Sequence, residues 1–478
     1  MEYEAVIGLE THIQLNTASK IFCSCKADSW NAAPNTNICP VCTGMPGVLP
    51  VLNRRVVEKG TLLAAAMHAD LQPVSFFDRK NYFYPDLPKG YQISQYDRSL
   101  AKGGYMDVPQ ADGTLRRVTI WKLHMEEDAG KTKNDLISGS RRIDFNRCGV
   151  PLIEMVTGPD LRSADEAANY LTRLRQLLRW IGVSEADMEK GHLRCDANVS
   201  LRRKGETILN TKTEIKNVNS IEAVRTAIVK EIDRQSRAYE HGERIEAWTL
   251  EWDEDSQTLK KMRSKETEAD YRYFREPDLL PVYLTDEWRA AILQDFPELP
   301  LARRARFMAG YGLPEYDAEL LTAERSLSDY FEKAVQAYGG EAKRVSNWLM
   351  NDVLRMLNDS GKTTAQLALT PAYLADIIKL VEAGTINTNT GKGLLEKVNA
   401  SGKSPEEIVR AEGLAKVSDD GAIRAVVEQV LAESPGEVAA YRGGKVGLIG
   451  FFTGQVMKKM QGKADAQKAR ALLEEMLR

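Results

Sequence analysis

Residues 6–15 alternate between apolar and polar side chains. Ile7, Leu9, Ile13 and Leu15 fall on one side, and Glu10, His12 and Gln14 on the other, which is the period of a half-buried β-strand. Residues 193–201 repeat the pattern, with Leu193, Cys195, Ala197, Val199 and Leu201 opposite Arg194, Asp196, Asn198 and Ser200. Within 211–218, Lys212, Glu214 and Lys216 share one face. Helical spacing interrupts these strands at 53–69, at 163–182 and at 219–241 after Asn219. The second of these helices opens on Ser163 with Glu166 three residues on, a capping signal. Short alternating strands mixed with helices predict an α+β fold with a large, mostly antiparallel sheet over residues 1–290. From the Pro277–Pro300 stretch onward the period is helical, over 285–310, 316–338, 341–359, 363–368, 371–383, 388–399 and 404–412. A break at Glu412-Gly413 precedes a last helical segment, 417–478. The expected organisation is therefore a sheet domain (1–290), an all-helical domain (291–410) and a small helical tail domain (411–478).

Composition adds limits. A chain of 478 residues exceeds one ordinary core. Its net charge of -3 excludes a strongly basic nucleic-acid binder overall. Locally the balance differs: Lys445, Lys458, Lys459, Lys463 and Lys468 face the single acid Asp465 between Arg442 and Arg470. That stretch reads either as a nucleic-acid contact or as a solvated helix face. No apolar run approaches the roughly 18 residues of a membrane span, and the first residues lack a signal peptide's basic and apolar regions. With Cys148 and Cys195 isolated, a cytoplasmic protein with reduced thiols and no membrane contact is expected.

Four of the six cysteines form two close pairs, Cys23-Ser24-Cys25 and Cys39-Pro40-Val41-Cys42. Two half-sites joined by a short loop suit a tetrahedral Zn²⁺ site, and four sulfurs leave no open position, so such a zinc is structural. Two disulfides or four unrelated buried thiols are the alternatives. Chemistry is sought elsewhere. Glu10 and His12, two apart on a strand, leave the same face; alone they read equally as a salt-bridged pair. Three consecutive acids, Glu126, Glu127 and Asp128, form an exposed turn or surround a cation. Asp196 with Asn198, and Glu214 with Lys216, add oxygen donors that suit Mg²⁺ better than zinc, and Mg²⁺ commonly arrives with nucleotide phosphates. In 77–96, Arg79 and Lys80 precede Tyr82, Phe83, Tyr84, Tyr91 and Tyr96. Cations interleaved with aromatics fit a phosphate and a base, or a core segment with two rim cations. Gly130-Lys131-Thr132 and Gly361-Lys362-Thr363 are not P-loops, because the upstream glycine that motif requires is Met125 in one and Met356 in the other.

VIGLETHIQL, FDRKNYFYPDLPKGYQISQYD, LHMEEDAGK, DFNRCGVPLIEMVTGPD, LRCDANVSL, TEIKNVNS and DYRYFREPDLLP, in this order, resemble the GatB family, the B subunits of bacterial tRNA-dependent amidotransferases. The likeness spans essentially the whole chain. Its C-terminal part resembles that family's YqeY-like tail, and the cysteines match only a zinc-bearing subset. The resemblance implies a cradle-like catalytic domain and a heterotrimer completed by an amidase (A) and a small (C) subunit. Glu or Asp on a misacylated tRNA is then activated by ATP as an acyl phosphate and amidated with ammonia released by the amidase. It also implies that Glu10, His12, Glu127 and Glu214 surround Mg²⁺ or Mg-ATP. Arg79, Lys80, Tyr82 and Lys216 are implied nucleotide contacts, and Asp196 and Asn198 meet a metal, a water or the aminoacyl group. Strand parity sets Glu127 opposite Glu126 and Asp128; the resemblance favours Glu127. The rival classes are a self-sufficient ATP-dependent ligase or kinase and a zinc-bearing RNA-binding scaffold.

Overall fold

The computed structural model describes residues 2–134, 139–264, 268–416, 420–460 and 463–478. The chain divides into two units, Met1–Leu299 and Pro300–Arg478.

In the first unit the elements that build the sheet and its cover are β1 (Tyr3–Gln14), α1 (Arg54–Ala66), β2 (Asp78–Asn81), β3 (Tyr91–Ser94), β4 (Leu115–Glu127), β5 (Pro151–Thr157), α2 (Ala164–Trp180), β6 (Leu193–Arg203), β7 (Thr213–Lys216), α3 (Ile221–Glu240), β8 (Trp248–Asp253) and β9 (Thr258–Ser264). A ten-stranded sheet runs β9-β8-β7-β6-β1-β5-β4, continues through two short strands, Ala101–Lys102 and Asp70–Leu71, and carries Tyr105–Pro109 on β4. Only the β7–β8 pair is parallel among these; the rest are antiparallel. A smaller sheet joins β2, β3 and Phe274–Arg275.

β1 is central, hydrogen-bonded to β5 on one side and β6 on the other. Its odd residues Ile7, Leu9 and Ile13 are buried in one hydrophobic cluster with Cys195, Ala197 and Val199 of β6 and Leu171, Leu174 and Leu178 of α2. Strand period therefore sends the apolar half of each strand to the helical cover and leaves the polar half on the other face. One irregularity breaks the phase. β4 pairs Lys122 with Val156 and then Ile120 with Thr157, so Trp121 is an extra, bulged residue. Before it Val118 and Ile120 are buried in the core; after it Leu123 and Met125 are.

Local signals explain the helix starts. Ser163 accepts from the Glu166 N–H at 3.1 Å and caps α2, while the Glu166 carboxylate reaches the Arg162 N–H. Ser220, one residue later than the sequence pattern indicated, caps α3. The single helix expected over 285–310 is two, Asp286–Leu293 and Pro300–Tyr311. Pro297 and Pro300 lack the donor a continuous helix needs and disfavour helical backbone in the residue before them.

The second unit is helical throughout its regular structure. The segment expected as 316–338 breaks between Glu315–Leu321 and Arg325–Tyr338. A π-helical turn, Leu349–Val353, lies inside the 341–359 segment. Two hydrophobic clusters are present, one from Phe307 to Val409 and one from Ile423 to Leu477. The latter is built by Asp420–Glu433, Ile449–Lys459 and Ala466–Leu477; residues 417–419 and 461–462 of the expected tail lie outside the described residues. Among the described residues no helix is long and apolar enough to cross a membrane.

Leu174 is fully buried whereas Val229 on α3 is 47% exposed. Leu174→Ala is expected to destabilise the first unit by about 2–5 kcal/mol, and Val229→Ala to change it by less than about 0.5 kcal/mol. Urea unfolding followed by tryptophan fluorescence measures both.

Candidate active site

Cross-strand registers collect the polar residues on a single face. Glu10 pairs with Asp196, His12 with Arg194 and with Glu154, Glu154 with His124, Leu152 with Glu126, and Asn198 with Glu214. Residues in register share a face, so Glu10, His12, His124, Glu126, Glu154, Arg194, Asp196, Asn198, Glu214 and Lys216 all stand on the side opposite the helical cover.

His12 is the hub. Its Nε2 lies 3.6 Å from Glu154 Oε2, 3.7 Å from Glu126 Oε1 and 4.0 Å from Glu10 Oε1. His124, behind it, places Nε2 3.1 Å from Glu154 Oε2 and 3.6 Å from Glu126 Oε2. Single donor atoms of His12, Glu126 and Glu154 lie within 4.8 Å of one another, as do those of Glu10, His12 and Asp196. The two carboxylates supply the hard oxygen donors that Mg²⁺ takes, with the imidazole as a third, borderline donor. Burial drives these carboxyls toward the neutral form. For Glu154, and likewise Glu126, the adjacent imidazoles outweigh it and the net shift is downward. Glu10 differs: burial, then repulsion by Glu154, raises it. Burial opposes protonation of His124, yet Glu154 and Glu126 carry it up to about 9.

Lys80 enters from the small sheet. Burial opposes its charge, but the carboxylates of Glu126 and Glu154 hold it protonated, with the pKa raised. Its Nζ sits 4.7 Å from the centre of the Tyr271 ring. Lys80, Tyr82, Tyr84, Tyr271, Lys216 and Thr249 line an open cleft of about 470 Å³. Lys216 is paired with Asp196 and lies 3.5 Å from Glu214 Oε1, and the Thr249 hydroxyl donates to Glu214 at 3.2 Å. Two ammonium groups and three phenol rings around one opening suit a polyphosphate with an aromatic base.

Three sequence expectations change. Glu127 does not face His12. Parity turns it to the other side of β4, where it pairs with Lys89 and accepts from the Ile93 N–H at 2.8 Å. The acid beside His12 is Glu126, joined by Glu154. Arg79 likewise points away from Lys80, its neighbour on a strand. Its guanidinium forks onto Glu276 at 2.7 and 2.9 Å and reaches Asp278 at 3.3 Å, so it holds the small sheet together. Glu214 stands two strands from β1, about 10 Å at ordinary strand spacing, and does not join the His12 groups. Asp128 binds Arg194 at 2.6 Å at the end of the same face. Glu154, His124 and Arg194 escaped the sequence reading. Glu154 did leave a signal: it is the lone acid in the otherwise apolar run PLIEMVT.

The cysteines come together on the loop after β1. The four Sγ atoms of Cys23, Cys25, Cys39 and Cys42 lie within 4.8 Å of one another, and all are free thiols, which removes the disulfide alternative. Tetrahedral Zn–S bonds of about 2.3 Å require S···S separations near 3.8 Å, so the four sulfurs fit that ion. The hydrogen bond with Cys23 takes Cys42 down to about 4, against burial, and Cys23 moves up correspondingly. This loop lines a second cavity of about 240 Å³ together with Glu127, Lys89 and Arg79.

Fold and site define an α+β enzyme domain whose sheet presents a buried acid–imidazole–lysine constellation, followed in the chain by helical modules. Residues 5–290 match the GatB/GatE catalytic domain, and residues 329–477 match the GatB domain. The chain is 50% identical over 478 residues, covering both chains in full, to the B subunit of the aspartyl/glutamyl-tRNA(Asn/Gln) amidotransferase of Thermodesulfovibrio yellowstonii. It is 48% identical over 479 residues, again all of both chains, to the protein of the same name from Persephonella marina. With that of Carboxydothermus hydrogenoformans it shares 47% over 479 residues, all of this chain and 99% of the other. The protein belongs to the GatB/GatE family.

The buried network carries a pH signature in metal-free protein. His124 is raised from 6.5 to about 9, so its stabilisation is complete below about 6.5 and is lost as pH rises through 9. Glu126 and Glu154 are lowered from 4.5, so theirs is present above that value and is lost as pH falls below it. Stability of the first unit is expected to be highest between these limits. His124→Gln should flatten the alkaline limb in urea midpoints measured with chelator from pH 4 to about 10.

Proposed function

We propose that this chain is the tRNA-amidating component of a glutamine-dependent amidotransferase. It converts Glu on tRNA(Gln), or Asp on tRNA(Asn), to the amide. Membership of the GatB/GatE family and full-length similarity to relatives named for that activity support the reaction class. One structural observation carries the residue-level reading: Lys80, which lines the lysine–tyrosine cleft, is also held by the Glu126 and Glu154 carboxylates of the His12 group.

A carboxylate resists attack by ammonia because its oxygen is a poor leaving group. ATP solves this by transferring its γ-phosphoryl to a side-chain carboxylate oxygen of the aminoacyl group, breaking the bond to ADP. Ammonia then attacks the acyl carbon, phosphate departs with the C–O electron pair, and one proton leaves the nitrogen. Lys80 and Lys216 hold the polyphosphate and offset charge that builds on the transferred group. Tyr82, Tyr84 and Tyr271 bracket the base. His12, Glu126 and Glu154, with Glu10 and Asp196 beside them, would hold Mg²⁺, which neutralises phosphate charge when bound. His124 keeps the two buried carboxylates oriented. Asn198 and Asp196 border the space left for the aminoacyl group.

Glutamine hydrolysis belongs to a separate amidase chain, and a third, small chain completes a heterotrimer. The helical modules, 291–410 and 411–478, hold the tRNA. The basic tail supports this more thinly than its composition indicated, since Lys459 pairs with Glu433 and Lys468 with Asp420. We place the protein in the cytoplasm with the translation machinery.

In the reconstituted heterotrimer, His12→Ala and Glu126→Gln should each reduce ATP-dependent amidation of Glu-tRNA(Gln) by at least about a hundredfold, with tRNA affinity within about twofold of the parent. Full activity in Glu126→Gln would overturn the assignment of that acid. Product from the isolated chain with glutamine would instead favour a self-sufficient ligase. A heterotrimer in which this chain ends at residue 410 should bind misacylated tRNA at least about tenfold more weakly and with a shallower salt dependence. Filter binding across a salt series measures this.

A further inference from the structure

Lys20 is a fully buried lysine, with no measurable exposure. A buried ammonium is strongly destabilising unless a partner neutralises it. Among the described residues no carboxylate lies within ion-pair range of this one. Its Nζ donates to the Asn37 carbonyl at 2.9 Å and to Cys42 Sγ at 3.6 Å. The backbone places it there. Ser19 and Lys26 pair as an isolated bridge, and the Lys20 N–H bonds to the Cys25 carbonyl at 2.9 Å. Lys20 thus roots the Cys23/Cys25 half-site through its main chain and reaches the Cys39/Cys42 half-site through its side chain. The stem runs past Gly149: a Cβ built on that glycine would sit 3.6 Å from Lys20 Cδ and 3.5 Å from Cys42 Cβ. Gly149 has φ +78, a conformation that disfavours other residues.

We propose that Lys20 is the charge-balancing positioning residue of the four-cysteine metal site, hydrogen-bonded to the Cys42 ligand sulfur and tying the two half-sites together. The inference rests on the reading of that cluster as a zinc site. Four thiolates around Zn²⁺ carry a net charge of -2, and a cation against the buried Cys42 sulfur offsets part of that excess. Lys20 supplies one positive charge, and it does so by a hydrogen bond to a ligand sulfur, the kind of outer contact that tunes metal affinity about 10–100-fold. The same ammonium explains why a lysine, instead of an apolar residue, fills this part of the interior.

The test uses full-length protein loaded with Zn²⁺, and separately with Co²⁺. Zinc retention is measured by competition with a chromophoric chelator, and the thiolate-to-cobalt charge-transfer bands report the ligand set. Lys20→Met is expected to weaken zinc retention at least about tenfold and to shift the cobalt bands, while far-UV circular dichroism of the metal-loaded protein stays unchanged. Lys20→Arg, which keeps the charge, should hold metal better than Lys20→Gln. Equal zinc affinity and identical cobalt spectra in parent and Lys20→Met would overturn the proposal. If Lys20→Met does not fold, the Arg and Gln variants decide: Arg retaining metal where Gln loses it supports the role, and equal behaviour of the two refutes it. Parent protein that takes up neither metal removes the zinc reading itself, a result separable from any effect of Lys20.

Discussion

Ionised carboxylates stay charged inside a protein only when cations stand beside them, and this sheet face is built around that requirement. Glu126 and Glu154 are nearly inaccessible to water. Two imidazoles and the Lys80 ammonium surround them, and the protonation of His124, Lys80 and the two carboxylates is set mutually. The antiparallel register of β1 with β5, and of β5 with β4, makes the gathering possible, because it brings side chains from positions 12, 126 and 154 onto one surface. The apolar side of the same strands is locked against α2 and α3, so the polar side cannot turn away from its partners. Sheet stability and site geometry are consequences of one alternation.

Much of this was legible in the chain. The alternation at 6–15 and 193–201 predicted the two strands and their polar faces, and the pairs Glu10/His12 and Asp196/Asn198 were read onto the correct sides. The cysteine spacing located the clustered thiols. Register, by contrast, has no local signature. Nothing in PLIEMVT says that its glutamate will sit across from His12, because that pairing joins residues far apart in sequence. Arg79 and Lys80 were grouped by adjacency, although on a strand adjacent residues diverge; the partner that occupies Arg79, Glu276, is nearly two hundred positions away. The long helix expected at 285–310 failed for a simpler reason, the weight of two prolines inside an otherwise helical pattern.

The cysteine loop and the acid face use opposite sides of one strand end. Glu126 meets the imidazoles, Glu127 meets Lys89 and the cavity beside the cysteines, and Asp128 returns to the first side to hold Arg194. Three successive acids therefore belong to two different surroundings, one lined by imidazoles, carboxylates and Lys80, the other adjoining the four clustered cysteine sulfurs.

The bulge at Trp121 decides which acid goes where. Upstream of it the even-numbered residues of β4 enter the core, and downstream the odd-numbered ones do. A regular β4 over the same residues, with Trp121 paired instead of bulged, would turn Glu127 to the side of His12 and Glu126 toward the apolar layer. The bulge thus works as a phase shifter between a structural half-strand and a chemical one. In a chain lacking the extra residue the same sheet position carries a number one lower, so such chains are aligned at the bulge before residues are equated by number.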